Sequence, residues 1–261
     1  MVEIKELTKD QLSFIVAEKG FEPLVLTKDY YITILLYLLK DINGIYFKGG
    51  TALNKTILGY SRLSEDIDFT LEKSLKDAKK EIISLIESSK MFNGISMDKD
   101  VEGFTRLVIS YSTELGKGTV SIDLNERGRL LTKPSKMPIK HFYPNLPKFE
   151  LNCLSPHEMI AEKLAAAIGR NMPRDHFDIY MIIKKKIPLD LEMAKKKCEG
   201  SGHEFSIIRM FNKAKKLKNR WDEDLLPLLA EEVSFQEVIT TLAKYFNLKE
   251  EKIKNKEKAS R

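Results

Sequence analysis

Short apolar stretches bounded by polar or glycine-containing segments predict four strands in the first half of the chain. These strands cover residues 45–48, 66–71, 106–112 and 119–125. The last two are predicted to form a hairpin, because the segment between them is polar and carries two glycines. Along the second arm apolar and polar positions alternate, so Asp123 is expected to face away from the apolar layer.

Apolar residues at helical spacing predict helices around these strands. A nearly all-apolar helix capped by Thr27 is expected to pack against the sheet. A proline-rich crossing follows the hairpin, and the run that starts at Ser155 and Pro156 has the residues of a helix start. The predicted helices cover part of residues 1–20, then 28–41, 51–58, 75–89 and a series from 156 to about 247.

These elements predict an α+β fold whose N-terminal half is α/β. We expect a mixed sheet flanked by helices, followed by an all-helical C-terminal subdomain. The proline-rich crossing places the boundary near residues 148–154. The expected divisions are a catalytic subdomain over residues 1–150, a helical subdomain over 151–248, and a solvated, frayed Lys/Glu tail over 249–261.

Composition and charge narrow the class of protein. The 261 residues carry a net charge of +6, much of it in lysine runs of the second half, and such runs favour a polyanionic partner such as RNA. Solvated helix faces explain the same runs equally well. The two cysteines form no paired motif, the N-terminus lacks the features of a signal peptide, and no apolar run is long enough to span a bilayer. A cytoplasmic protein without membrane attachment is therefore expected.

The densest candidate chemistry lies between Tyr46 and Phe69. Asp66 and Asp68 are two apart on a predicted strand, so they project from the same face and repel each other unless a cation lies between them. Hard carboxylate oxygens suit Mg²⁺. Gly49 and Gly50 let the backbone approach a phosphate, and the helix that follows points N–H groups towards it. The alternative is a hairpin edge with two solvated aspartates.

This stretch resembles the first motif of the AbiEii-type nucleotidyltransferases, in which Gly-Gly-Thr-Ala-Leu is followed by Arg-x-Ser-x-Asp-x-Asp. The family comprises toxins of toxin–antitoxin and phage abortive-infection systems, within the DNA polymerase β-like nucleotidyltransferase superfamily. Its later motifs are matched by Lys163, in an alanine-rich helix, and by Asp175 and Asp178. The resemblance spans roughly residues 28–185 and implies a nucleotidyltransferase-like sheet.

Lys163, Asp175 and Asp178 can also be interpreted from the sequence without the resemblance. Lys163 lies on or beside the apolar face of its helix, so it must either extend to solvent or meet an anion, and a triphosphate is one such anion. Asp175 and Asp178 are three apart and share a helix face. Asp178 then either positions Lys163, accepts a proton, or forms an ordinary helix salt bridge.

The resemblance implies a metal site and a nucleotide site. A third carboxylate usually completes the metal set in this superfamily, and Asp123 is the best candidate, unless it is only an edge-strand charge. Mg²⁺ or Mn²⁺ would then be held by Asp66, Asp68 and Asp123. Catalysis is assigned to these three with Lys163 and Asp178, and Asp175 is a possible addition. The expected NTP-binding residues are Lys48, Gly49, Gly50, Thr51, Arg62, Ser64 and Lys163, although Arg62 and Ser64 could equally be ordering a loop.

The function implied by the resemblance is transfer of a nucleoside monophosphate from an NTP to an RNA acceptor, with the tRNA 3′ end as the leading candidate. A cognate antitoxin, encoded separately, is implied as a partner. Two alternatives stay open on the sequence: a nucleotide-binding regulator without transfer activity, and a nucleotidyltransferase that acts on a protein or a small molecule such as an aminoglycoside. A pure RNA-binding module would leave Asp66 and Asp68 unexplained.

Overall fold

The computed structural model describes residues 4–259, which form two compact units that divide between Pro156 and His157. The first unit contains a mixed sheet with helices and the second is helical, which confirms the predicted fold class. The predictions for residues 1–3 and 260–261, at the two ends of the chain, lie outside the described range. Among the described helices, none has both the length and the apolarity that a bilayer span requires.

Seven strands of the first unit form one sheet. They are β1 Ile45–Lys48, β2 Asp66–Leu71, β3 Gly94–Val101, β4 Phe104–Thr113, β5 Gly116–Asn125, β6 Ser135–Ile139 and β7 Phe149–Cys153. Their order across the sheet is β3-β4-β5-β2-β1-β7-β6. β2 pairs with β5 in parallel and β1 pairs with β7 in parallel, whereas the other neighbours are antiparallel. The two strands of the glycine and aspartate motif, β1 and β2, therefore lie in the middle of the sheet.

The predicted strand bounds of β1 and β2 are confirmed, and so is the alternation along β5. Ile67 and Phe69 of β2 and Ile122 of β5 are fully buried on one face of the sheet. Asp68 lies between Ile67 and Phe69 in sequence, and Asp123 follows Ile122; both aspartates are only half-buried, on the opposite face. The apolar face drives the sheet onto its helices, which leaves the carboxylates on the other face.

Four helices accompany this sheet: α1 Lys9–Lys19, α2 Pro23–Leu39, α3 Gly49–Leu53 and α4 Leu75–Glu87. The predicted start of α2 at Lys28 is wrong, because Pro23 occupies the first turn and Glu22 caps the helix by accepting a hydrogen bond from the Leu24 amide. Thr27, predicted as the cap, lies inside the helix, where its hydroxyl donates to the carbonyl of Pro23. α2 contacts α1, α4 and β5, as expected for an apolar helix.

The predicted helix over residues 51–58 has two parts. α3 begins at Gly49 and continues as a π-helical turn over Asn54–Leu58, which ends at Gly59 in the left-handed region (φ 65°). A single π turn inside a helix is uncommon and widens the backbone locally. Here it carries Lys55 into the interior of the unit, where the side chain is 1% exposed.

Three of the seven strands were not predicted from the sequence. In β3 the apolar residues Ile95, Met97 and Val101 alternate with polar ones, but every residue of this strand except Ile95 is exposed, so the alternation does not mark a buried face. β6 contains Pro138 and β7 lies beside it, and both fall in or next to the predicted irregular crossing. Proline is tolerated in β6 because that strand is at the edge of the sheet.

The second unit consists of helices. They are α5 Pro156–Gly169, α6 Pro173–Lys184, α7 Leu191–Gly200, α8 Ala214–Asp224, α9 Phe235–Tyr245 and α10 Leu248–Ala259. α6 contacts α8 and α9, and buried Leu217, Trp221, Val238 and Leu242 line this packing. α10 covers most of the segment for which a frayed tail was predicted, since lysine and glutamate are both good helix formers.

Candidate active site

A row of charged residues crosses the polar face of the sheet. Register pairs Lys48 of β1 with Asp68 of β2, Asp68 with Asp123 of β5, and Asp123 with Arg106 of β4. Arg106 is in turn opposite Lys99 of β3. Directly paired residues of neighbouring strands project from the same face. We call these five residues the charged row; it has two carboxylates at its centre and cations at both ends.

Asp66 adds a third carboxylate to this face. It lies two residues before Asp68 on β2, so both side chains project from the same side, and both are half-buried. The hydroxyl of Thr51 donates a hydrogen bond of 2.5 Å to the main-chain carbonyl of Asp66, which ties α3 to the start of β2. The predicted proximity of the glycine motif and the two aspartates is therefore present.

The Asp68 carboxylate lies against Gly49. Its φ is 78°, and a Cβ built on it would lie 2.9 Å from Asp68 Cγ and closer still to Oδ2. A real Cβ cannot be this close to another heavy atom, so only glycine leaves room for the carboxylate at this point of the turn. Gly49 thus leaves room for the Asp68 carboxylate, a role separate from the phosphate contact expected from the sequence.

Replacement of this glycine is expected to reduce activity more than stability. Gly49→Ala should lower the nucleotide transfer that the sequence resemblance implies by about a hundredfold, because the methyl group displaces the Asp68 carboxylate. Gly59→Ala is the matched control: its φ is 65°, and an added Cβ has only Lys140 Nζ nearby, at 3.9 Å. Both variants incur the left-handed strain, roughly 1–2 kcal/mol. Equal transfer rates for the two variants, measured at saturating NTP, would contradict the steric role of Gly49.

Asp123 is held by Arg106 in this structure. Arg106 Nε donates to Asp123 Oδ1 at 2.6 Å, and its terminal NH2 nitrogen donates to Oδ2 at 2.7 Å. This two-point pair is the strong form of an arginine–carboxylate contact. The hydrogen bonds to Asp123, together with the charges of Asp123, Asp66 and Asp98, raise the pKa of Arg106, against the opposing effect of partial burial.

The donor set fits a divalent cation, although it is not gathered around one point. Within the described residues, no group of three or more His, Cys, Asp or Glu side chains converges in a metal-binding arrangement. Asp66 and Asp68 nevertheless offer hard oxygen atoms on one face, which is the ligand type that Mg²⁺ and Mn²⁺ take. The Asp68 carboxylate occupies the space that a side chain at Gly49 would fill. Asp66 and Asp68 would hold the ion, with Asp123 one strand away.

Arg62 and Ser64 lie inside the loop that leads to β2. Both are 3% exposed, and the NH1 nitrogen of Arg62 donates to the carbonyl of Leu63 at 2.9 Å and to the Ser64 hydroxyl at 3.3 Å. The Arg62 amide donates to Asn54 of the π turn. These contacts match the loop-ordering alternative of the sequence analysis, and nucleotide contact by Arg62 or Ser64 stays a prediction.

A buried network that the sequence analysis did not anticipate lies beneath the motif. Lys55 Nζ is 2.8 Å from Asp29 Oδ1 and donates to Thr33 Oγ1 at 2.9 Å and to the Tyr60 hydroxyl at 2.7 Å. The Tyr143 hydroxyl donates to Asp29 at 2.8 Å. Burial and the charge of Asp29 raise the pKa of Tyr143 well above its usual value, so it remains a donor. Asp29 and Thr33, four apart on the apolar α2, were the available sequence signal.

The second unit brings its three predicted site residues together. Lys163 Nζ of α5 is 2.9 Å from Asp175 Oδ1 and 3.0 Å from Asp178 Oδ2, and both aspartates, on α6, are fully buried. Arg170 adds two hydrogen bonds to Asp175, at 2.7 and 2.9 Å. Burial alone would raise the pKa of Asp175, but the neighbouring Lys163 and Arg170 charges outweigh burial and hold this pKa well below its usual range.

Comparisons with known proteins give a family and a fold. A family profile described as "Nucleotidyl transferase AbiEii toxin, Type IV TA system" matches residues 36–241. A comparison with curated proteins found no match. The profile begins within α2 and ends within α9, so it includes the charged row, the Gly49 turn and the Lys163 cluster.

Two solved structures share the fold. MenT4, a nucleotidyltransferase toxin from Mycobacterium tuberculosis H37Rv, is 19% identical to this chain with a TM-score of 0.63, over 91% of this chain and 99% of that one. JHP933 from Helicobacter pylori is also 19% identical, with a TM-score of 0.57 over 92% of this chain and 97% of that one. At this level of identity the likeness concerns the fold.

Proposed function

This chain belongs to the AbiEii family of nucleotidyl transferase toxins, and from that premise we propose that it transfers a nucleoside monophosphate from an NTP to the 3′ end of tRNA. The family match confirms the resemblance seen in the sequence and identifies an NTP-using nucleotidyltransferase of a toxin–antitoxin system. Mg²⁺ dependence, the tRNA acceptor and the role of each site residue are parts of the proposal.

The proposed reaction is a displacement at the α-phosphorus of the NTP. The acceptor hydroxyl gives its proton to solvent water and its oxygen forms a bond to the α-phosphorus, while the bond from that phosphorus to the bridging oxygen breaks and pyrophosphate leaves. Asp66 and Asp68 would hold a divalent ion, which when bound screens the negative charge of the reacting oxygens. Gly49 leaves room for the Asp68 carboxylate, and Thr51 fixes the start of β2.

The observation that carries the proposal is the charged row with Gly49 beside it. Carboxylates on paired positions of two parallel strands repel each other, and a divalent cation bound between them would offset that repulsion. The cations that flank the two carboxylates of the row, Lys48 and Arg106, suit an anionic substrate. A hairpin edge with two solvated aspartates, the alternative considered from sequence, does not fit a position in the middle of a seven-stranded sheet.

An RNA acceptor is supported by the lysines of the second unit. The side chains of Lys195 and Lys196 on α7 and of Lys215, Lys216 and Lys218 on α8 are exposed. Lysines of this kind contact phosphates without reading sequence, as binding to the stem of a folded RNA requires. The charge alone does not distinguish tRNA from other polyanions, so the acceptor has to be identified by product analysis.

The test is incubation of the purified protein with each of the four α-labelled NTPs, Mg²⁺ and total tRNA. We expect label at the tRNA 3′ end with at least one NTP, and no label with the Asp68→Asn variant. Equal labelling by wild type and variant would overturn the assigned site. Label on protein or on a small molecule would identify that molecule, and not tRNA, as the acceptor. NTP binding without any labelled product would favour a nucleotide-binding regulator.

Lys163 is predicted to act on NTP, and a second buried lysine provides the control. Lys163→Gln should raise the KM for NTP about tenfold, because the ammonium group that Asp175 and Asp178 hold in place is proposed to contact the triphosphate. Lys197→Gln removes a comparable buried cation of the same unit, one that lies 2.5 Å from Glu158 and 2.9 Å from Glu162. Thermal unfolding should show similar losses for both variants. A KM that rises equally in both would reduce Lys163 to a structural role.

A further inference from the structure

We infer that Arg106 exchanges partners during the reaction cycle: it holds Asp123 while no divalent cation is bound, and it binds a phosphate of the NTP once Asp123 turns to the cation. This inference rests on the proposed function, because it requires a cation and a triphosphate at the charged row. It assigns a role to a residue that the sequence motifs do not include.

The contact between Arg106 and Asp123 is too complete for an incidental surface pair. Both carboxylate oxygens of Asp123 accept hydrogen bonds from Arg106, at 2.6 and 2.7 Å. The Asp123 side chain is 13% exposed, whereas that of Arg106 is 39% exposed. The carboxylate is therefore fixed inside the site and the guanidinium lies at its open side, where an anion can reach it.

Charge balance gives the reason for the pairing. Asp68 and Asp123 occupy directly paired positions of parallel strands, and Asp66 projects from the same face. The three carboxylates together with Lys48 and Arg106 carry one net negative charge, and the charges of Lys99 and Asp98 on β3 cancel each other. Without Arg106 the repulsion between the carboxylates would be larger, so the guanidinium supplies positive charge that a divalent ion would otherwise provide.

The same balance explains why Arg106 would leave. A divalent ion on Asp66, Asp68 and Asp123 changes the net charge of the five groups and the ion to one positive, which weakens the hold of Asp123 on Arg106. A guanidinium has five N–H donors in a fork that matches phosphate oxygens as well as a carboxylate. Arg106 therefore has a second partner of the right geometry when NTP arrives with the cation.

The experiment measures Mn²⁺ binding without nucleotide and, separately, the KM for NTP. Arg106→Gln should bind Mn²⁺ about fivefold more tightly, because a repelling positive charge and a competitor for Asp123 are both removed. The same variant should show a KM for NTP raised about tenfold, because a phosphate ligand is lost. Lys99→Gln, which removes one positive charge from the next strand of the same row, is the matched control and should change either quantity less than twofold.

Opposite shifts of the two quantities support the exchange, since a merely structural salt bridge would weaken both or neither. Unchanged values, or weaker binding of both Mn²⁺ and NTP, would overturn it. If Arg106→Gln does not fold, Arg106→Lys takes its place: a raised KM with Mn²⁺ affinity unchanged or tighter supports the exchange, and any other result overturns it. Wild-type protein that binds no Mn²⁺, or Asp68→Asn that binds it as tightly as wild type, would instead refute the proposed metal site.

Discussion

Asp68→Asn is expected to lower nucleotide transfer by at least about a thousandfold while leaving the unfolding transition close to that of wild type. Asp68 lies at the centre of the charged row, with Lys48 on one side, Asp123 on the other and Gly49 against its carboxylate. Asparagine keeps the shape of the side chain but loses the charge that attracts a divalent ion. The measurement is the single-turnover rate with labelled NTP and acceptor.

A matched variant separates the site from the general loss of an acidic group. Glu72 directly follows β2, and its carboxylate accepts a hydrogen bond of 2.5 Å from the Tyr46 hydroxyl. Glu72→Gln removes the same charge next to the same strand, at the end away from the charged row, so its transfer rate should stay within about threefold of wild type. A similar decline in both variants would show that overall charge, and not the position of Asp68, sets the rate.

Lys55→Met is expected to cost about 3–5 kcal/mol of stability, because it leaves the buried Asp29 carboxylate without its cation. Lys55 and Asp29 are each 1% exposed, and the surrounding polar groups donate to or accept from this pair. The hydroxyls of Tyr60 and Tyr143 offset only part of this loss of stability, since neither carries a charge. The measurement is the free energy of unfolding from equilibrium denaturation.

Two comparisons make this result interpretable. Lys73→Met breaks an ion pair with Glu81 whose side chains are 22% and 48% exposed, and it should cost less than about 1 kcal/mol. The double variant Asp29→Asn with Lys55→Met removes both charges and should recover part of the loss. A single Lys55→Met variant as stable as wild type would show that the network does not hold the π turn in place.

The sequence predicted that Asp66, Asp68 and Asp123 lie on the polar faces of their strands, because the information for this is local. Strands β1 and β2 were predicted at their observed bounds, since each is a short apolar stretch with a sharp end. The side of the sheet on which Asp123 lies was predicted from the alternation of apolar and polar residues along β5. Lys163, Asp175 and Asp178 were expected together, and helix spacing was sufficient for the two aspartates.

What the sequence analysis missed depends on residues far apart in the chain. The π turn brings Lys55 to Asp29, which also accepts a hydrogen bond from Tyr143, and no window of neighbouring residues contains all three. The pairing of Arg106 with Asp123 requires the register of the hairpin, which is fixed by the tight turn between Thr113 and Gly116. The six-residue turn expected from composition left that register open. Counting back from the shorter turn places Arg106 opposite Asp123.

The parallel pairing of β2 with β5 has a consequence for biosynthesis. A ribosome makes Asp66 and Asp68 long before it reaches Asp123, and the two strands can pair only after the β4–β5 hairpin has left the exit tunnel. A nascent chain that stalls earlier contains Asp66 and Asp68 without β5 beside them. A cell that translates this toxin is thus exposed to a complete row of charges only once about half of the polypeptide has been synthesised.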